Sequence, residues 1–534
     1  MRRIFLSSHP ETAARRKSSV DLPQNTPSIP RSAFLALRRS RRFRMRTMSL
    51  SMMGASLFLQ CEAFEAYPSP ICQGAACLDL IEVSACDQSL APNVPEASVV
   101  HVSPNGSASG TGDKNSPVNS INAALGMLGN GKSNIFVCNG TYNENVVLAG
   151  VSNVALYGGF SCDNWTYACG KSAVTPLTGL ALEIDNIFGV TFVDMHFEAQ
   201  KRVGTGESSI AAFVNQSNGV TFKRTEIVAG AAAKGEDGVS GNDGAWDTTP
   251  GDAKNATTVA PGQGDSCTCT TGGRSVGGNG GAPAKDGSPG MSDPSFATNP
   301  PGNDGAAGIG GTNDCRTTGS GNNGADAPAG SNGDAITLGT LTASGWSPND
   351  GNPGEDGTPG QGGGGGGGNS GSGGGGGCGG CGGTGGTGGT AGGSSIALLS
   401  FNSGMQLISC DLSTGQAGNG GAGGDGGSST AGSGSGNGAT VAPNNGCSGG
   451  NGGQGGTGGA GGGGAGGISA GILYSGTTPA IGTDTTFNGG STTDLRGTGG
   501  LGGTSGAPTS VAGAAGPGGK FGRMVSADNW GVTQ

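Results

Sequence analysis

The chain has 534 residues, of which 118 are glycine, 5% are aromatic and 12% are charged. Glycine brings no side chain to a core and loses much freedom on ordering, so one compact core along the whole length is excluded, as are a coiled coil and a continuous collagen. Charge is split: the first 60 residues hold 12 Lys/Arg against 2 Asp/Glu, leaving 15 against 35 beyond them, and an acidic body argues against nucleic-acid binding.

Residues 1–47 read as a basic leader with an open start codon. Residues 48–66 read as a signal-peptide region. Its apolar run, Met48–Leu59, is shorter than the about 20 residues a membrane span needs and suits an h-region. Two readings of the processing site stand: lipidation of Cys61, which would supply the one membrane attachment, or cleavage after Ala63. Residues 67–98 form a Cys-containing linker. Fourteen cysteines in an exported chain read as disulfides. Cys162 and Cys169 bracket a short turn, CDNWTYAC, and are the expected pair. Cys378-Gly379-Gly380-Cys381 is a CxxC; Cys267-Thr268-Cys269 is its one candidate partner for zinc, a poly-Gly context does not suit a redox motif, and a structural disulfide is favoured.

From 99 to 230 the texture is β-rich. Runs at 134–137, 145–148, 153–157, 180–184, 190–197, 210–214 and 220–228 are separated by Asn/Gly turns, and Ser120–Leu128 reads as a short helix. The runs repeat. Gly189-Val190-Thr191-Phe192 recurs 30 residues later as Gly219-Val220-Thr221-Phe222. Units of about 20 residues open at Ser209, Ser395 and Ser469, each followed by Gly-rich sequence. Coils at 99–230, 395–415 and 469–490, with Gly-rich blocks at 231–394, 416–468 and 491–534, are expected of an all-β solenoid with arms inserted at one corner.

Residues 101–160 resemble the entry segment of pectin-lyase-like right-handed parallel β-helices. The likeness rests on His101–Gly106, Gly110-Thr111-Gly112, Ser120–Leu125 and a first coil with Gly140, Tyr142, Glu144 and Val146. Tyr157–Phe160 with Cys162 and Trp165 is similar to exported myxobacterial proteins whose β-helix is interrupted by Gly-rich runs. The blocks resemble mycobacterial PGRS tracts in composition. The resemblance implies a fold and a surface setting, and no activity.

The arms have a period of three. Gly-Gly separates Cys378, Cys381, Thr384, Thr387 and Thr390, and again Asn451, Gln454, Thr457 and Ala460. This suits a polyproline-II-like helix, with neighbours close enough to bond backbone to backbone as in polyglycine II, disulfides among Cys267, Cys269, Cys315, Cys378, Cys381 and Cys447 securing the arms. A flexible linker is the alternative. Gly420–Asp425 fits a calcium nonapeptide once, which chance explains in so Gly-rich a chain.

Catalytic candidates are few. Asp194 and His196 are two apart and so share a strand face; Asp194 or Glu198 beside Arg224 of the next coil makes an acid/cation site, with a surface ion pair as the favoured reading. No cofactor and no metal are expected. The expected role is structural or adhesive, in the outer envelope or outside the cell, with extracellular polysaccharide or self-association through the arms as partner; the alternative is a polysaccharide-acting or glycan-binding protein.

Overall fold

The computed structural model describes residues 86–293, 305–488, 494–528 and 530. The leader, the apolar run and Cys61 lie outside them. Three parallel sheets carry the β-rich parts. Sheet I orders Val99–Ser107, Asn134–Cys138, Val154–Phe160, Phe188–Val193, Asn218–Lys223, Gly404–Ile408 and Ala480–Ile481. Sheet II orders Val146–Ala149, Leu182–Asp185, Ser209–Asn215, Ser395–Phe401, Ser469–Ser475 and Phe521–Ser526. Sheet III orders Thr141–Tyr142, Ser172–Val174, Met195–Ala199, Glu226–Ala229, Asp411–Ser413 and Thr486–Asn488.

From Asn134 onward the chain visits the sheets in a fixed rotation, I to III to II, and the three Gly-rich excursions all leave after a sheet III strand and return at a sheet II strand. Ser209 pairs with Ser395 and Ser395 with Ser469 in parallel register, although 185 residues separate the first pair. The repeated Val-Thr-Phe is stacked in register too. Phe192 and Phe222 lie face to face at 5.2 Å with Phe197 edge-on at 5.5 Å. All three rings are fully buried between the sheets, each stabilising by roughly 1.5–3 kcal/mol relative to exposure.

Two of the expected runs are each two strands. The stretches 190–197 and 220–228 break at Asp194 and Arg224, which have φ of 55° and 50°. Ser409 (φ 49°) does the same on the next rung. A left-handed residue turns the strand from sheet I into sheet III, and a period-two pattern does not reveal it. The helix is shorter than expected, Ile121–Leu125, with the Ser120 hydroxyl accepting from Ala123 N–H.

The excursions contain two small antiparallel sheets; most of the rest is neither helix nor strand, yet its backbone is bonded. In the run 371–393 the N–H groups of 377, 380, 383, 386, 389 and 392 donate to the carbonyls of 450, 453, 456, 459, 462 and 465. Those of Thr384, Thr387 and Thr390 donate to Asn242, Val239 and Glu236. Carbonyls at every third residue from 372 to 393 accept from 418–439, and those of 377–389 accept from 351–363. Each residue class modulo three therefore serves particular neighbours, as three residues per turn requires. Such contact demands glycine: a Cβ on Gly380 or Gly386 would sit within 3.0 Å of the Thr430 or Gly424 carbonyl.

Candidate functional site

Two of the sequence candidates, Asp194 and Arg224, meet at the corner between sheets I and III. Arg224 Nε donates to Asp194 Oδ1 at 2.8 Å and Nη2 to Oδ2 at 2.6 Å, and the Tyr167 hydroxyl donates to Oδ2 at 2.7 Å. Asp194 is buried, so this is a bidentate pair sealed into the wall, not the surface pair favoured above. Hydrogen bonding to Asp194 raises the Arg224 pKa. Burial first, then the bond to Asp194, pushes the Tyr167 hydroxyl up to about 12.

A strap lies over this cluster. The Gln88 side chain donates to the Tyr167 carbonyl at 2.9 Å, Arg224 Nη2 reaches the Leu90 carbonyl at 3.5 Å, and Cys86 is bonded to Cys169. Ala91 and Val94 pack on Phe136, Phe160 and Tyr167. The linker expectation for 67–98 thus covers a packed segment at its C-terminal end. With every polar atom of the Asp194 carboxylate engaged, the cluster braces the strap against two rungs.

Glu198 does not join it. As Asp194 occupies the turn, it does not share a strand face with His196, contrary to the spacing argument. His196 stands on sheet III with Nδ1 3.0 Å from Glu226 and Nε2 3.4 Å from Glu198. Lys171 Nζ lies 3.8 Å from Glu226 and 3.9 Å from Asp411. This acid-rich patch is half-exposed. The other histidine among the described residues, His101, is buried edge-on to Trp165 at 4.5 Å, and burial lowers its pKa.

The motif behind the family resemblance proves structural in its contacts. The Tyr142 hydroxyl donates to the carbonyls of Val102 (3.1 Å) and Cys138 (3.0 Å). Glu144 accepts from Ile121 N–H at 2.7 Å, from the Ser120 hydroxyl at 2.7 Å and from Asn122 N–H at 3.1 Å. It closes the helix start, where the orphan N–H groups are.

The cysteine expectation needs correction. Cys162 pairs with Cys138, and Cys169 with Cys86. The turn that separates Cys162 from Cys169 points them at different neighbours: Cys138 at the end of a sheet I strand, Cys86 in the strap. The arm cysteines pair as Cys267–Cys378, Cys269–Cys381 and Cys315–Cys447, so the CTC and CGGC motifs are laced together. Five disulfides among the described residues fit an oxidising compartment. Cys410 is free and buried at the position Thr225 and Thr485 hold on adjacent rungs; burial raises its pKa.

One recurrent device was missed. In Asp237-Gly238 the side chain accepts from Ala422 N–H at 2.7 Å while Gly238 N–H donates to the Ala422 carbonyl at 2.7 Å. Asp243-Gly244 grips Ser428 likewise, Asn419-Gly420 grips Thr498, Asp425-Gly426 grips Thr504, and Asn332-Gly333 grips Ala460. The recurrence of Asn/Asp before Gly in the arms is its signal. It gives Asp425, singled out by the calcium motif, a partner within the chain. An open groove of about 660 Å³ at the root of the arms is lined by Arg202, Lys234, Glu236 and Asp237 among others, a balanced charge set that favours no ligand sign. No protein-family model, no curated protein and no solved structure matches the chain.

Proposed function

We propose that this chain is an exported right-handed parallel β-helix, of the pectin-lyase-like kind, bearing a polyglycine-II-like bundle, and that its role is structural or adhesive at the cell envelope or outside the cell, without catalysis. The rotation through three parallel sheets supports the helix, and the strong preference of parallel crossovers for one hand supports its handedness. The observation that carries the role is the bundle: Gly-rich runs bonded backbone to backbone at every third residue. That work is spent on a stiff body with small residues on its surface, while the buried Asp194 and Tyr167 and the partly buried Arg224 are consumed in bracing.

The test uses purified, oxidised full chain. Cosedimentation with insoluble polysaccharides and with itself is measured alongside release of reducing or unsaturated sugars. Binding or self-association with no sugar released supports the reading; sugar release overturns it. The second reading, a polysaccharide-acting protein, draws on the Glu198, His196 and Glu226 patch, and E198Q and E226Q would then abolish the release.

A further inference from the structure

We propose that Asp265, Cys267, Cys378 and Ser433 form a binding site for a thiophilic divalent cation of the zinc type, which opens when the Cys267–Cys378 disulfide is reduced. The proposal goes beyond the structural role and does not depend on it. Cys378 starts the period-three row Cys378, Cys381, Thr384, and that row brings both cysteines against the strand Ser266–Thr268. Asp265 immediately precedes the strand. Its Oδ2 lies 3.5 Å from Cys378 Sγ; the Ser433 Oγ lies 3.3 Å from the same sulfur and 3.2 Å from Asp265 Oδ2. One oxygen of Asp265 and the two sulfurs lie within 4.8 Å of one another, with both cysteines buried.

Oxygens stand against other disulfide sulfurs of this chain, the Asn139 carbonyl 3.1 Å from Cys162 Sγ among them; what distinguishes Cys378 is a carboxylate, beside a hydroxyl that also accepts from Cys378 N–H at 2.9 Å. This setting suits a thiol, whose S–H can bond to the carboxylate, and a thiolate, which shares a cation with it. At the adjacent Cys269–Cys381 pair the Thr430 hydroxyl accepts from Cys381 N–H at 2.8 Å, as Ser433 does from Cys378 N–H, but among the described residues only the Cys267–Cys378 pair has a carboxylate against its sulfurs. Two thiolates, a carboxylate and a hydroxyl or water supply the four donors zinc takes, with soft ligands setting the preference. The reduction is balanced by a phosphine: phosphine, disulfide and one water give the phosphine oxide and two thiols. Binding the cation then releases the two thiol protons.

The experiment reduces the full chain with a water-soluble phosphine, removes it without air, and titrates Co²⁺ while recording sulfur-to-cobalt charge-transfer absorption. The expected result is one equivalent bound with thiolate bands in the reduced chain and none in the oxidised chain. D265N should weaken binding by tenfold or more and S433A by several-fold, while the Cys269→Ser/Cys381→Ser variant should retain both bands and stoichiometry. The Cys267→Ala/Cys378→Ala variant, treated identically, sets the background and reports whether the rest of the bundle survives the phosphine. Absence of thiolate bands in the reduced chain overturns the proposal, whether or not the fold survives, since a site that cannot form after reduction is no site. Bands that persist in D265N but vanish in the Cys269→Ser/Cys381→Ser variant also overturn it, by placing the cation on the other pair.

Discussion

Replacing Gly386 by alanine separates two opposed effects. In an unconstrained segment, Gly→Ala removes freedom from the unfolded chain and stabilises by about 0.4–1 kcal/mol. At Gly386 the new Cβ would sit within 3.0 Å of the Gly424 carbonyl, so the runs 371–393 and 418–439 must part locally. The bonds Gly424 N–H to Thr387 and Gly427 N–H to Thr384 flank that point, and Gly386 N–H itself donates to Gly459. Losing two or three of these, at about 1 kcal/mol net each, outweighs the entropy gain and leaves G386A roughly 1–3 kcal/mol less stable. Gly251 has nothing within 4 Å of a built Cβ and no left-handed φ, so G251A should be neutral or slightly stabilised. Calorimetric unfolding of both variants beside the parent measures the contrast. If G386A melts with or above the parent, the close-packed bundle is wrong and the arms behave as linkers.

Other perturbations probe other parts. Arg224→Ala strands a buried carboxylate and should cost about 3 kcal/mol in chemical denaturation. D194N/R224M removes both charges while keeping at 194 a residue that tolerates the left-handed φ and an acceptor for Tyr167; it should cost less than R224A alone, and equal costs would show that the pair is not sealed. Hydrogen bonds from Thr504 to Asp425, and from Ser428 to Asp243, hold both carboxyls below their ordinary range. A depressed folded-state pKa gives stability present above the unfolded value, near 4, and lost as pH falls through the folded one. The bundle should therefore melt earlier at pH 3 than at pH 6, and D243N/D425N, which keeps the acceptor oxygens, should flatten that difference. Arg523 lies over the Phe487 ring at 5.5 Å on the last rung, where the sheet I and III strands are only two and three residues long; charge and short strands are known ways to blunt a sheet edge. R523L should raise concentration-dependent association in light scattering, and an unchanged monomer–oligomer balance would refute that role for Arg523.

What could be read in the sequence was what repeats. Ser209, Ser395 and Ser469 open strands of one texture, and a chain that returns to such texture after long excursions has a ladder to return to; the register pairs them. The Gly-Gly spacing around Thr384, Thr387 and Thr390 likewise carries its own period. What stayed hidden depends on single conformations or on distant partners. Asp194 and Arg224 sit inside runs that alternate like one strand, and only their left-handed φ shows that they are corners. Proximity in sequence favoured Cys162 with Cys169, but a rung ends beside another rung, so Cys138 and Cys86 are the neighbours that matter. The aromatic column His101, Phe136 and Tyr157 is set by strand pairing, invisible along the chain.

The two halves of the molecule solve the ordering problem by opposite means. The three sheets bury large side chains, and their stacking supplies a core that one rung lacks. The bundle has almost no side chains to bury, so its order must come from backbone bonds, which are individually weak against the entropy of fixing glycine. Three features offset that deficit. Every excursion begins and ends at the same corner of the stack, so the rungs hold the roots of the arms in place. Three disulfides cross-link runs that are 111 to 132 residues apart in sequence. Asn and Asp before Gly add a second bond wherever a neighbour's N–H would otherwise be unpaired. Remove the side-chain grip and the cross-links together and the same glycine-rich sequence has the composition of a flexible linker. The sparse non-glycine residues of the arms, rather than the glycines, are therefore what selects the bundle over disorder.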